Sequence, residues 1–222
     1  MSTKVFHEED GIEKMLHFFK THQNKILAGV STVVLLIVGW YGYNEYVKKP
    51  NEEKAADALF KSQGYFTLDS SRLVLNGDGQ SKGVLYVMRT FSGTKAANLA
   101  KFYAGVSYLH LGEFANAVKY LEDFSTDAPQ IQLLAYGNLA DAYAELNKKD
   151  QAVNYYLKAA HHFEKDETNS SEYLFRAALL QETLGKNAEA LELYKELKEK
   201  YPKTEKGYQA DKYINRLSIQ KD

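Results

Sequence analysis

The chain has 222 residues, with 28 basic and 29 acidic side chains, 17 tyrosines, 3 prolines and no cysteine. Near-neutrality excludes a strongly basic surface for nucleic acid, and the absence of cysteine excludes disulfides, thiolate zinc sites and cysteine nucleophiles. The remainder, rich in Ala, Leu, Glu and Lys, reads as helical.

Taken in order, the first informative segment is Ile26 to Asn44, a run of 19 residues without charge between Lys25 and Glu45. At about 1.5 Å per residue this run approaches the roughly 30 Å of a bilayer's hydrocarbon core. Trp40, Tyr41, Tyr43 and Tyr46 gather at its carboxyl end and Phe18, Phe19 and Lys20 precede it, as interfacial anchors do. A signal peptide is the rival reading. Its apolar region is about 7 to 15 residues and ends in a small-x-small site, whereas this run is longer and closes on Gly39-Trp40-Tyr41-Gly42-Tyr43. The segment is therefore expected to be an uncleaved anchor in a lipid bilayer, at 26–46, after a short tail at 1–25. Lysines stand on both sides of it, so charge does not fix its orientation.

Residues 51–222 make one domain of ordinary size, with 22 basic and 24 acidic side chains. Pro50 is expected to end a linker into it. From Glu52 to Phe66, the spacing of Ala55, Ala56, Leu59, Phe60 and Phe66 predicts a helix. A turn-rich stretch follows at 76–83. The segment from Val84 to Phe91 has the composition of a strand, but an isolated strand lacks a ladder partner, so a short helix is predicted.

From there the chain repeats. Tyr108, Gly112 and Ala117 recur 35 residues later as Tyr143, Asn147 and Ala152, and after a further 38 as Gln181, Gly185 and Ala190. This period predicts about three stacked helix-turn-helix units. Gly or Asn at the turn suits a left-handed backbone, and the alanine allows the second helix to approach the first. Thr204 to Ile219, with Tyr208, Tyr213, Ile214 and Leu217, predicts a C-terminal capping helix. Pro129 and Pro202 are read as ending helical pairs.

These residues resemble the tetratricopeptide repeat family. The first unit matches its pattern at Gly105, Tyr108, Gly112, Ala117 and Pro129, the second at Ala140, Tyr143, Asn147, Ala152 and Tyr156, and the third at Ala178, Gly185, Ala190, Tyr194 and Pro202. Departures are Glu164 in place of proline, Gln181 in place of the aromatic, and no early tryptophan in any unit. The resemblance implies an all-α solenoid after the single transmembrane helix. A closer resemblance covers residues 12–217 and rests on the short tail, the anchor, Leu75-Asn76-Gly77-Asp78-Gly79 and Thr94-Lys95-Ala96-Ala97-Asn98-Leu99-Ala100. It is similar to the membrane-anchored ancillary subunits of the bacterial Sec translocon. That likeness implies a cytoplasmic amino terminus, a periplasmic repeat domain in the bacterial inner membrane, and two partners: the SecYEG channel and a membrane-anchored periplasmic chaperone of the prolyl-isomerase type.

Catalytic constellations are scarce. Adjacent His161 and His162 diverge by about 100° on a helix, which does not suit a shared metal. The segment Asn76 to Gly79 lacks the carboxylates of a calcium loop and the Lys-Ser or Lys-Thr of a phosphate loop. Glutamates and lysines between Glu189 and Lys203 read as a solvated face, and Asn169-Ser170-Ser171 matches a glycosylation acceptor. No nucleophile stands with a base, so neither enzyme nor cofactor is expected. Binding then falls to the groove lined by the first helix of each pair. The family's groove positions correspond to Leu99, Phe102, Val106, Leu109 and His110, to Leu134, Gly137, Asp141, Ala144 and Glu145, and to Glu172, Phe175, Leu179, Glu182 and Thr183. One reading packs the first set against the segment 84–88 as core. The other leaves Asp141, Glu145, Phe175, Leu179 and Glu182 open to a partner. The alternatives are another membrane-tethered scaffold, in envelope assembly or cell division, and an enzyme whose site a single sequence does not reveal.

Overall fold

The computed structural model describes residues 6–219, so the extreme ends of the tail and of the repeat domain lie outside the described residues. The chain divides into two compact units between Asn51 and Glu52.

The first unit is built on α1 (Phe6–Tyr43). It contains the one helix, among the described residues, that is long and apolar enough to cross a bilayer. None of its side chains from residue 11 onward is buried. Trp40, Tyr41 and Tyr43 are exposed at its end, and Tyr46 lies in the π-helical turn Asn44–Lys48 that follows. In that turn the Lys49 N–H reaches back five residues to the carbonyl of Asn44. The wide turn precedes Pro50, which has no N–H to donate. Pro50 therefore does not end a linker: it is the second residue of α2 (Lys49–Thr67), and the wide turn before it accommodates its missing donor.

In the second unit, α2 is followed by α3 (Ser71–Asn76), α4 (Val84–Thr90) and α5 (Lys95–His110). Then come α6 (Phe114–Glu122), α7 (Pro129–Glu145), α8 (Lys149–His162) and α9 (Glu167–Thr183). The last two are α10 (Asn187–Lys200) and α11 (Glu205–Ile219). The pairs α5/α6, α7/α8 and α9/α10 stack in order, and α11 covers α10 and α9 as the predicted cap. Described residues hold no strand, only one antiparallel bridge between Gly77 and Lys82.

The recurring residues have one backbone explanation. Gly112, Asn147 and Gly185 take left-handed φ values of 74°, 57° and 73°. The N–H after each returns to the residue five earlier: Glu113 to the carbonyl of Tyr108 at 2.9 Å, Lys148 to Tyr143 at 2.8 Å and Lys186 to Gln181 at 3.0 Å. These bonds close each first helix and set the spacing from aromatic to glycine. Ala117, Ala152 and Ala190 are fully buried where paired helices touch. Pro129 is the first residue of α7, so it starts a helix as well as closing the pair before it.

Two hydrophobic cores result. In the first, Phe102, Val106, Leu121, Phe124 and Leu133 join the repeat residues through to Leu217. In the second, Val84 and Val87 of α4 pack with Ala55, Leu59, Val74, Leu75, Ala96, Ala100 and Ala104. The segment 84–88 is thus helical and packs in the core that holds Ala96, Ala100 and Ala104 of α5, with Leu99 against both cores, whereas Phe102 and Val106 belong to the other core. The loop before α4 is a tight turn. Asp78 Oδ1 accepts the N–H groups of Gln80 and Ser81, while the Tyr65 hydroxyl donates to Oδ2 at 2.6 Å. Thr94 caps α5 by accepting the Ala97 N–H at 3.0 Å, and the Glu52 carboxylate of α2 accepts the Lys95 N–H at 2.9 Å.

Candidate functional site

The first helices of the pairs place the predicted groove residues in three different situations. Asp141 of α7 is engaged within the fold. It accepts a hydrogen bond from the Tyr156 hydroxyl of α8 and an ion pair from Arg176 Nη1 of α9 at 2.8 Å. Arg176 Nε meets Glu172 at 2.7 Å, one turn earlier in α9, and Lys206 of α11 approaches the other Glu172 oxygen at 3.4 Å. A row of alternating charges therefore ties α7 to α9 to α11. Glu182 of α9 is engaged similarly: both its oxygens take Arg216 Nη2 of α11 at 2.7 Å, and the Tyr194 hydroxyl donates to it at 3.3 Å.

Phe175 is 8% exposed and belongs to the core. Its ring meets Tyr213 edge-on at 5.1 Å and Tyr194 at 5.9 Å, and the Lys206 ammonium lies 5.0 Å from its centroid. Asp141, Phe175 and Glu182 thus differ from the expectation of open groove residues, because each finds its partner on the next repeat or the cap. Glu145 and Leu179 remain open: Glu145 is exposed with no hydrogen bond or ion pair to any described residue, and Leu179 is 41% exposed. Of the other positions, Gly137 lies beneath the Tyr173 ring, so close that an added Cβ would sit 2.0 Å from Cζ. His110 is exposed, on a recess of about 700 Å³ whose other residues are Asp69 to Leu73 and Leu111.

Electrostatics follow this geometry. Burial works against the Arg176 charge, but the hydrogen bond to Glu172 and the field of Asp141 outweigh it and hold the guanidinium firmly protonated. Burial pushes the Glu172 carboxyl up, and Arg176 and Lys206 more than reverse this, leaving it below its ordinary value. Tyr156 and Tyr194 are pushed up by burial and by the carboxylates they donate to. Tyr173 is pushed up to about 12, mainly by burial. Every shifted group here is stabilised in its ordinary charge state, which describes a structural network rather than a poised acid or base.

The remaining candidates resolve simply. His161 Nε2 pairs with Glu196 of α10 at 2.9 Å, while the His162 ring packs edge-on against Tyr136; the two diverge as expected of helix neighbours. No group of three or more described His, Asp or Glu side chains is arranged to hold a metal. The lysine and glutamate face of α10 carries exposed pairs such as Lys195 with Glu192 and Lys198 with Asp211. Asn169 lies in the first turn of α9, and Ser171 is 1% exposed with its hydroxyl donated to the Thr168 carbonyl, so the acceptor motif is packed into the fold.

Family comparison is consistent with this architecture. A profile of the tetratricopeptide repeat-like domain matches residues 16–166, taking in the apolar helix and the first two pairs, and a tetratricopeptide repeat profile matches residues 172–204, the third pair. No curated protein and no solved structure matches the chain significantly. The first of these matches covers more than half of the chain, and the chain belongs to the tetratricopeptide repeat-like domain family.

Proposed function

We propose that this protein is a non-catalytic interaction subunit of the Sec protein-translocation machinery, held in the bacterial inner membrane by Ile26 to Tyr46. Its repeat unit stands in the periplasm and links the SecYEG channel to a membrane-anchored prolyl-isomerase-type chaperone or to emerging clients. The observation that carries this reading is a repeat solenoid, an interaction module by family, on a chain with one apolar helix of spanning length. The stretch Thr94 to Ala100, which carries the closer resemblance, caps and opens α5 at the junction with α2 and α4. The preference for the translocon over other tethered scaffolds rests on that sequence resemblance.

Within the unit, Glu145 and Leu179 are the partner-facing side chains, and Asp141, Phe175 and Glu182 shape the face from beneath. The test is purification of the full-length tagged chain from detergent-solubilised membranes, followed by mass spectrometry. Recovery of the channel subunits and a prolyl-isomerase-type chaperone is the expected result. Recovery of envelope-assembly or division proteins in their place would transfer the scaffold to that machinery.

A further inference from the structure

Within the repeat unit an open groove of about 640 Å³ runs between α2 and the start of α5. Leu59, Ala96 and Leu99 form its floor, and Ala56 and Phe60 stand on its α2 side. Phe60 is 72% exposed, whereas every other described phenylalanine of residues 52–219 is buried or half-buried. The rim is acidic: Glu52, Glu53 and Asp57 line it against one base, Lys95. Glu52 accepts the Lys95 N–H within the fold. Glu53 and Asp57 are exposed, with no hydrogen bond or ion pair to any described residue. The remaining bases of this region do not line the groove. At about 100° per residue, Lys54 and Lys61 fall about 140° and 120° from the direction midway between Ala56 and Phe60. Lys48 belongs to the π-helical turn before α2, and Lys49 pairs with Glu45.

We infer that this groove docks a basic amphipathic segment of a partner protein held at the same membrane, its apolar side chains covering Phe60 and Leu99 and its lysines or arginines meeting Glu53 and Asp57. Two observations choose that occupant. An apolar floor beside free carboxylates complements a basic segment and repels anionic lipid headgroups. The groove also opens at Glu52, six residues after Tyr46. Chain length alone therefore holds its mouth within about 22 Å of the interface proposed at Tyr46, within reach of a partner anchored in that bilayer. A second copy of this chain suits the groove less, because an isologous pairing would set the carboxylates of one rim against those of the other. The inference rests on the proposed membrane-held interaction subunit and adds to it a site apart from Glu145 and Leu179.

Because the chain has no cysteine, a bimane label at Ala56→Cys reports on the groove of the full-length protein in phosphatidylcholine nanodiscs, with the same label at Lys198→Cys as a distant control. The probes are two synthetic amphipathic peptides, one of leucine and lysine and one with glutamate in place of each lysine. The lysine peptide should shift the emission at position 56 and not at 198, and the glutamate peptide should shift neither. Glu53→Lys with Asp57→Lys should weaken the lysine peptide by about tenfold or more without moving the melting temperature. If those reversals do lower the melting temperature, Phe60→Ser, which leaves the charges in place, carries the same test. No shift at position 56, equal binding of both peptides, or binding that neither variant weakens would overturn the inference. So would a shift produced by phosphatidylglycerol nanodiscs without peptide, which marks a lipid site, or oxidative crosslinking of Phe60→Cys between copies, which marks a dimer face. Recovery of the translocon from membranes separates this inference from the proposed function. Failed peptide tests beside intact recovery of the channel reject the groove alone, whereas peptide binding with no translocon component recovered rejects the proposed function and leaves the groove.

Discussion

Glycine and alanine positions carry the tightest constraints at the scale of single residues. Gly137 has no room for a methyl group, since the Tyr173 ring occupies the place of its Cβ, and Ala152 is fully buried between α7 and α8. Gly137→Ala and Ala152→Leu should each destabilise the repeat unit by about 1–3 kcal/mol through overpacking. Lys198→Leu, which removes only an exposed pair with Asp211, should change stability by less than about 0.5 kcal/mol. Thermal unfolding of residues 52–222 checks all three, and an unchanged midpoint for Ala152→Leu would contradict the helix pairing. Asp78 supplies a pH test. The Tyr65 hydroxyl, with the Ser81 N–H, lowers its carboxyl to about 2. A carboxyl below its unfolded value of about 3.9 contributes stability that is complete above that value and is lost as the pH falls toward about 2. Carbon-13 titration of Asp78 should therefore show a midpoint well under the ordinary carboxylate range, returning toward it in Tyr65→Phe.

At the scale of elements, much of the molecule was legible in the sequence, and the exceptions have physical causes. The pairs α5/α6, α7/α8 and α9/α10 follow from the turn residues because a left-handed backbone and a five-residue return bond leave a fixed signature around Gly112, Asn147 and Gly185. The helix α4 follows from the lack of any ladder partner. Pro50 misled, because a π-helical turn one residue ahead of α2 lets the helix accommodate a residue that usually breaks it. The accessibility of the candidate groove residues was not legible. Asp141 and Glu182 look free in one dimension, while their partners Arg176 and Arg216 lie 35 and 34 residues away, close to one repeat period. Lys186 with Asp150, His161 with Glu196 and Lys200 with Glu164 keep the same separation, at 36, 35 and 36 residues. Opposite charges one period apart were thus the available signal for the inter-repeat network. A consequence follows for mutagenesis. Asp141→Lys should lower the melting temperature along with any binding, since it faces Arg176 with a like charge, whereas Glu145→Lys with Leu179→Asp should weaken partner recovery while leaving melting unchanged. Circular dichroism melts run beside quantitative co-purification separate the two.

For the whole molecule, the proposed function divides attachment and recognition between the apolar helix and the repeat unit. Protease added to intact spheroplasts should degrade residues 51–222, and protection of that unit with an accessible amino terminus would reverse the proposed topology. Recognition by the repeat unit predicts that exchanging Ile26 to Tyr46 for an unrelated spanning helix weakens partner capture only in part. The most direct measurement is site-specific photo-crosslinking in membranes, with the reactive side chain at position 145 or 179 and, as the contrasting face, at 198. The account predicts crosslinks to translocon or chaperone components from 145 and 179 and none from 198; silence at 145 and 179 with capture from 198, or with all capture lost on exchanging the spanning helix, would contradict it.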